Sequence, residues 1–337
     1  MPKLSIVVPV YFNQDNLVPL YKDIKEMVFD VAPFECEAVM VDDGSKDESW
    51  TVLQQLAQQD SRIKPIKLSR NFGSHAAILC GLSHATGDCA VVKAADLQEP
   101  TEMVLEMYER WRKGSNVVLA VRQDRQESFG QKLFAGLYYW LVRKTALPQM
   151  PKGGFDTFLV DRKVIEVLER MDERNSAITG QILWSGFKTD TVYYVRRARE
   201  IGKSRWTLKK KVRLVADTLF SFSNLPITIV TTVGALSFAG ALLWAVIVAI
   251  FKLLGKIGVS GWTTLFIFQL FSFGVIMMTL GLLGGYLWRT FDASRNRPVY
   301  IVEEKYRTNI ERENISTESQ TEKIADDVEG KQVNVPN

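Results

Sequence analysis

Two long apolar runs in the C-terminal third constrain this chain more than any other feature. Ile227 to Phe251 and Trp262 to Trp288 are essentially uncharged, and each is long enough to cross about 30 Å of hydrocarbon as a helix. Backbone amides inside a bilayer must be satisfied within the segment, so two transmembrane helices are expected. The link between them offers only Lys252 and Lys256, whereas the outer flanks carry Lys209, Lys210, Lys211 and Arg213 on one side and Arg289, Arg295 and Arg297 on the other. That asymmetry puts the link outside the cell and both chain ends in the cytoplasm, at the plasma (inner) membrane. Gly274, Gly281, Gly284 and Gly285 permit close helix approach, and so a hairpin or a homo-oligomer.

The remainder reads as a soluble domain fused to this anchor. The hydrophobic fraction of 47% is ordinary as an average but is concentrated in the two runs, and the net charge of +4 says little until its placement is considered. Cys36, Cys80 and Cys89 lie in apolar contexts without metal-type spacing, as expected of buried free thiols in a reducing compartment. The first residues enter a strand directly, with no apolar stretch long enough for a signal peptide, which also favours a cytoplasmic domain.

Leu4 to Val10, Glu37 to Val41, Ile63 to Leu68 and Asp88 to Ala94 are apolar strand-length runs, and they alternate with helical patterns at Asp15 to Phe29, up to about Gln59, and Ala76 to Ala85. Such alternation predicts an α/β domain with right-handed crossovers and a mostly parallel sheet. Three loops then converge on one sheet edge: Pro9 to Asn13, Asp42 to Ser45, and Ala94 to Gln98. Ligands of open α/β sheets collect outside the carboxyl ends of the strands. Both the Gly-x-Gly-x-x-Gly and P-loop patterns are missing, which disfavours a dinucleotide enzyme or a P-loop kinase. Asp42 suits a nucleobase N–H, although the segment also reads as a capped turn. Asp96 and Gln98 are few ligands for a hard cation, but Mg²⁺ takes further oxygens from substrate phosphates and water.

Farther on, Arg122 and Arg125 follow a strand at Asn116 to Val121 and have the fork geometry that suits phosphate. Gly130 to Leu147 interleaves aromatic residues with Lys132, Arg143 and Lys144, the pattern of a helix lying in a membrane interface. Asp156 follows a Gly153-Gly154 pair on a loop, and Leu214 to Leu225 forms an amphipathic lead-in to the membrane. A basic run from Arg196 to Trp206 would in isolation draw nucleic acid. Its place just upstream of membrane helices makes that reading poor.

Val8-Pro9-Val10-Tyr11, Val41-Asp42-Asp43-Gly44-Ser45, Ser69-Arg70-Asn71-Phe72-Gly73 and Ala95-Asp96-Leu97-Gln98 occur in an order and at spacings that resemble glycosyltransferase family 2. More narrowly they resemble the polyprenyl-phosphate glycosyltransferases, the group of dolichol-phosphate mannose synthase and the bacterial GtrB glucosyltransferases. The resemblance implies a GT-A (Rossmann-like) fold, a nucleotide-sugar donor, Mg²⁺ or Mn²⁺, and inversion at the anomeric carbon. Carried over residue by residue, it puts the donor on Pro9, Tyr11, Asp42, Asp43, Arg70, Asn71, Gly73, Ala95 and Asp96, with the metal on Asp96 and Gln98. Asp156 matches the acid facing the acceptor. Arg199, Lys203, Ser204 and Arg205, in the pattern Arg-x-x-Gly-x-Ser-x-Trp, look like the acceptor loop, joined by Arg122 and Arg125 as phosphate ligands.

Two departures stand out. Ala94 occupies the place of the first acid of the family's Asp-x-Asp motif, with Lys93 before it where an apolar residue is usual, and Tyr11-Phe12-Asn13-Gln14 replaces the common Tyr-Asn-Glu. Either Asp96 with the diphosphate suffices for the metal, or Lys93 offsets phosphate charge. The expected organisation is a catalytic domain over 1–206, a juxtamembrane helix over 207–226, a membrane hairpin over 227–289 and a partly disordered cytoplasmic tail over 290–337. The expected activity is transfer of a hexose, glucose first, from a UDP-sugar to polyprenyl phosphate. GDP-mannose, UDP-N-acetylglucosamine, a UDP-aminoarabinose derivative, and a catalytically impaired scaffold are the alternatives.

Overall fold

In a computed structural model the protein is described over residues 1–123, 139–171, 176–197, 220–255 and 261–306, together with isolated positions between these stretches. Strands β1 (Leu4–Val10), β2 (Cys36–Asp42), β3 (Ile63–Leu68) and β4 (Cys89–Val92) alternate with helices α1 (Gln14–Ile24), α2 (Ser49–Gln59) and α3 (Ser74–His84). A π-helical turn, Lys25–Phe29, extends α1. After α4 (Met103–Arg112) and β5 (Val117–Arg122) come β6 (Thr157–Asp161), α5 (Arg162–Met171), α6 (Ile178–Trp184) and β7 (Thr189–Tyr194). The long helices α7 (Leu225–Leu253) and α8 (Trp262–Ser294) precede a last strand, β8 (Val302–Lys305).

The eight strands form one sheet in the order β7-β5-β6-β4-β1-β2-β3-β8. β1 pairs in parallel with β2 and β4, β2 with β3, and β5 with β7. β6 and β8 run antiparallel to their neighbours. Central strands are buried almost throughout and mostly apolar because helices cover both faces, with the buried Ser5 and Glu37 of β1 and β2 hydrogen-bonded to each other. One face packs Val7, Val39, Val41 and Val92 under Ala77, Leu82, Ile165 and Ile182; the other packs Ile6, Val8 and Met40 under Leu17, Leu53 and Met107.

The described residues include two helices long and apolar enough to cross a membrane, α7 and much of α8, with their apolar side chains outward. Of the expected interface helix only residues 136 and 139–145 are described as helical, and they are two-sided: Trp140 is exposed while Val142 is buried in the core. Within the expected tail, β8 at Val302–Lys305 closes the far edge of the sheet against β3. Residues 302–305 of the expected tail thus belong to the catalytic sheet.

Candidate active site

The carboxyl ends of β1, β2 and β4 open on one edge, as the parallel pairing requires, and the three predicted loops meet there. The Phe12 N–H donates to Ser45 Oγ at 2.9 Å and the Asn13 N–H to Ser49 Oγ at 3.1 Å, which stitches the first loop to the second. The altered opening has a local purpose: Asn13 Oδ1 accepts from the Tyr11 N–H at 3.2 Å, and Gln14 Oε1 from the Glu48 N–H at 2.9 Å. Phe12 holds φ at 55°, an uncommon and costly backbone state for an aromatic residue, and Tyr11 packs edge-on against it.

Asp42 and Asp43 divide their labour. Asp43 accepts the Phe72 N–H at 2.7 Å and the Gly73 N–H at 2.9 Å, so it fixes the loop carrying Arg70 and Asn71. Burial still pushes its carboxyl up to about 6. Gly44 lies between with φ 66°, and a Cβ there would stand 2.4 Å from the Arg70 carbonyl carbon. Asp42 accepts the Ser45 N–H at 3.1 Å through Oδ1, while its Oδ2 is buried with no hydrogen-bond partner among the described residues. Burial raises this carboxyl as well. A buried acceptor without a donor costs roughly 1–3 kcal/mol, so Asp42 is poised for a ligand's N–H. Arg70 and Asn71 are exposed, with the Arg70 guanidinium 4.3 Å over the Phe72 ring.

The third loop turns back on itself. Asp96 Oδ1 accepts the Gln98 N–H at 3.3 Å across Leu97, whose φ is 58°. Underneath, Glu99 is buried; its carboxylate accepts the Ala94 N–H at 3.2 Å, and its carbonyl oxygen takes the Lys93 ammonium at 2.6 Å. Burial raises the Glu99 carboxyl and lowers the Lys93 ammonium, each opposed by the charge of the other. Lys93 is fully buried, and its ammonium braces this loop from below.

β6 runs antiparallel to β4, which brings its first residues to the same edge. Asp156 is 66% exposed there and pairs with Arg122, itself 14% exposed, whose Nε donates to Tyr194 Oη at 3.2 Å. Two residues predicted for separate tasks therefore form one ion pair. Arg196, not singled out from sequence, donates to Gln98 Oε1 and lies 3.7 Å from Asp96. Arg125, Arg199, Lys203, Ser204 and Arg205 fall outside the described residues. Near the start of α7 a cavity of about 330 Å³ is lined by Thr145, Phe222, Ser223, Asn224, Leu225 and Thr228.

Residues 5–165 match the family model Glycosyl transferase family 2. A glycosyltransferase of uncharacterised role from Bacillus subtilis, YkcC, is 38% identical over 303 residues, covering 90% of this chain and 94% of its own. The SfII prophage-derived bactoprenol glucosyl transferase of Shigella flexneri is 34% identical over 309 residues, covering 91% and 99%. This chain belongs to glycosyltransferase family 2. It is a glycosyltransferase whose likeness to bactoprenol glucosyl transferases runs over most of the chain. Among solved structures, a Pyrobaculum calidifontis mannosyltransferase aligns with a TM-score of 0.44 at 19% identity, covering 83% of this chain and 87% of that one.

The donor set for the family's divalent ion is thin. Among the described residues no group of three His, Cys, Asp or Glu side chains is placed to hold a metal. Asp96 is the single carboxylate at the loop tip, and Gln98 Oε1 is engaged by Arg196. Such a set fits an ion that draws most of its ligands from diphosphate and water, not one caged by protein. Sequence reading missed Glu99 and Arg196, which act through tertiary contacts that no local pattern announces.

Proposed function

We propose that this glycosyltransferase moves a hexose, glucose first among candidates, from a UDP-sugar to a polyprenyl phosphate at the cytoplasmic face of the plasma membrane, with inversion. The observation that carries the donor side is Asp42 Oδ2, a buried acceptor without a partner at the switch-point edge, suited to the N–H of a uracil. The acceptor side rests on the relatives' names and on two membrane-length helices directly after a basic segment.

In this reading Asp43 and Gly44 fix the Arg70–Gly73 loop against the nucleotide, and Pro9, Tyr11 and Ala95 shape the floor. An oxygen of the lipid phosphate attacks the anomeric carbon as the bond to the diphosphate breaks, and the nucleoside diphosphate leaves with the electron pair. A lipid phosphate is already ionised at neutral pH, so strong base catalysis is unnecessary. The exposed Asp156, tied to Arg122, accordingly orients the head group while Arg122 supplies a phosphate contact. Arg125, Arg199, Lys203, Ser204 and Arg205 complete the acceptor contacts. Asp96 would hold Mg²⁺ or Mn²⁺ after Gln98 is released from Arg196, and the ion when bound offsets charge growing on the leaving diphosphate. Gly274, Gly281 and Gly284 have no neighbour at the Cβ position, which leaves that stripe for a second copy.

The test is transfer from radiolabelled UDP-glucose to undecaprenyl phosphate by the full chain in lipid, beside Asp96→Ala. Labelled lipid in the wild type alone supports the reading. Label arising only from GDP-mannose or another UDP-sugar would move the donor assignment. Nucleotide binding without transfer from any donor would favour a scaffold.

A further inference from the structure

Three neutral polar side chains at the ligand edge have buried atoms with no hydrogen-bond partner among the described residues. Gln181 is 1% exposed, yet neither Oε1 nor Nε2 has a hydrogen-bond partner. Ser176 is buried with Oγ unpartnered, and His75 has Nδ1 buried and unpartnered. Their position follows from topology. β6 ends at Asp161, opposite Cys89 at the beginning of β4, so α5 starts at the edge remote from the site and runs back towards it. α5 therefore ends towards the ligand edge, and α6 starts from that side with Ser176 before it and Gln181 in its first turns. α3 also begins at that edge, immediately after the Arg70–Gly73 loop, and His75 Nε2 meets the Glu173 carbonyl oxygen at 3.2 Å.

That contact fixes the imidazole tautomer. A carbonyl only accepts, so Nε2 carries the hydrogen and Nδ1 presents a lone pair. Burial holds the ring well below its ordinary range, at about 4, so it is neutral at pH 7. The unpartnered atoms are then two acceptors, Gln181 Oε1 and His75 Nδ1; one donor, Gln181 Nε2; and one hydroxyl that does either. A phosphate, which only accepts, would leave the two acceptors unmatched, and a cation would leave the amide N–H unmatched. Sugar hydroxyls donate and accept at once. Buried polar groups left unpaired are costly enough that folds retain them mainly where a ligand or ordered water completes them.

We infer that Gln181, with Ser176 and His75, recognises the hydroxyls of the transferred sugar and sets which hexose the enzyme accepts. The inference rests on the donor being a nucleotide sugar. Lining the same layer, Phe222 of the membrane lead-in packs on Gly180, where a Cβ would stand 2.3 Å from its ring. The residue next to Gln181 is thereby held by the segment that leads to the membrane helices.

The experiment is calorimetric binding of UDP, UDP-glucose, GDP and GDP-mannose to the full chain in nanodiscs, for wild type, Gln181→Leu and Ser176→Ala, with thermal melts of each. One neutral hydrogen bond corresponds to a factor of roughly three to ten in affinity. Gln181→Leu should weaken the preferred sugar nucleotide about tenfold, leave the bare nucleotide unchanged, and melt no lower than wild type. Ser176→Ala, which only removes a hydroxyl, should weaken the sugar nucleotide roughly threefold and serves where leucine is not accommodated. An unchanged ratio of sugar nucleotide to nucleotide in both variants would make these groups hosts of interior water and overturn the assignment alone. A wild type that binds neither nucleotide sugar overturns the donor reading and this assignment with it.

Discussion

At Ala94 a single methyl stands where a second carboxylate would double the negative charge offered to a cation. Asp96 alone gives an attraction that becomes useful only when diphosphate oxygens join it. Mn²⁺ binding followed by paramagnetic resonance should therefore be weak without nucleotide and strengthen when UDP is added. Ala94→Asp should raise the nucleotide-free affinity at least about tenfold. Asp96→Asn should cut transfer by more than about a hundredfold, a larger loss than in UDP affinity, since a charge aimed at the leaving group counts most in the transition state. His75 supplies a test by pH. Its folded value near 4 lies below the ordinary imidazole value, so the unfolded chain binds more protons between about 4 and 6.5. The stability it contributes is present above that window and lost as pH falls through it. The melting temperature of wild type minus that of His75→Asn should thus grow from pH 4 to 6.5. Asp43, held up at about 6, works the opposite way: its contribution is lost as pH rises through that value.

At the scale of elements, β1 to β4 were legible because strands buried on both faces must be mostly apolar, and the turn residues Asp42 to Ser45 and Ala95 to Gln98 sit at their ends. Boundaries agree to within a few residues; β1 and β3 match their expected limits, and α3 begins at Ser74 where Ala76 was expected. β8 was harder to read. Val-Glu-Glu-Lys alternates half-buried and exposed positions and carries three charges, as edge strands do to resist further pairing, and that composition resembles a polar tail. The Lys93–Glu99 bracing was invisible for a different reason. Two charges six residues apart become a buried unit only when the turn between them folds, and no periodicity marks it. The loop-to-loop contact through Gly44 belongs to this scale. Gly44→Ala forces both a left-handed backbone on alanine and a 2.4 Å approach to Arg70, so a loss of about 1–3 kcal/mol is expected. Denaturant unfolding reads the stability, and weakened UDP binding should accompany it because the Arg70–Gly73 loop is displaced.

Across the whole molecule, the two long helices leave from the catalytic domain and return to it. On the outgoing side Phe222 packs on Gly180, and Asp217 pairs with Arg289 of α8 at 2.6 Å. On the returning side the Ser69 N–H donates to the Ile301 carbonyl at 3.0 Å, Tyr300 Oη meets Ser83 Oγ at 2.7 Å, and β8 joins β3. A version of the chain ending at Asn224 should consequently melt several degrees lower and aggregate through the bare edge of β3. Rejoining residues 295–306 by a flexible linker should restore both properties, as light scattering and thermal melts would report. Equal stability of the two versions would show that β8 is dispensable. A domain moored by one strand could swivel freely over a bilayer, but two moorings leave it a narrow range of tilt. In the proposed reading its pocket would meet lipid head groups in nearly one orientation, so rotational entropy is surrendered once, during folding, and not again at each encounter with a lipid.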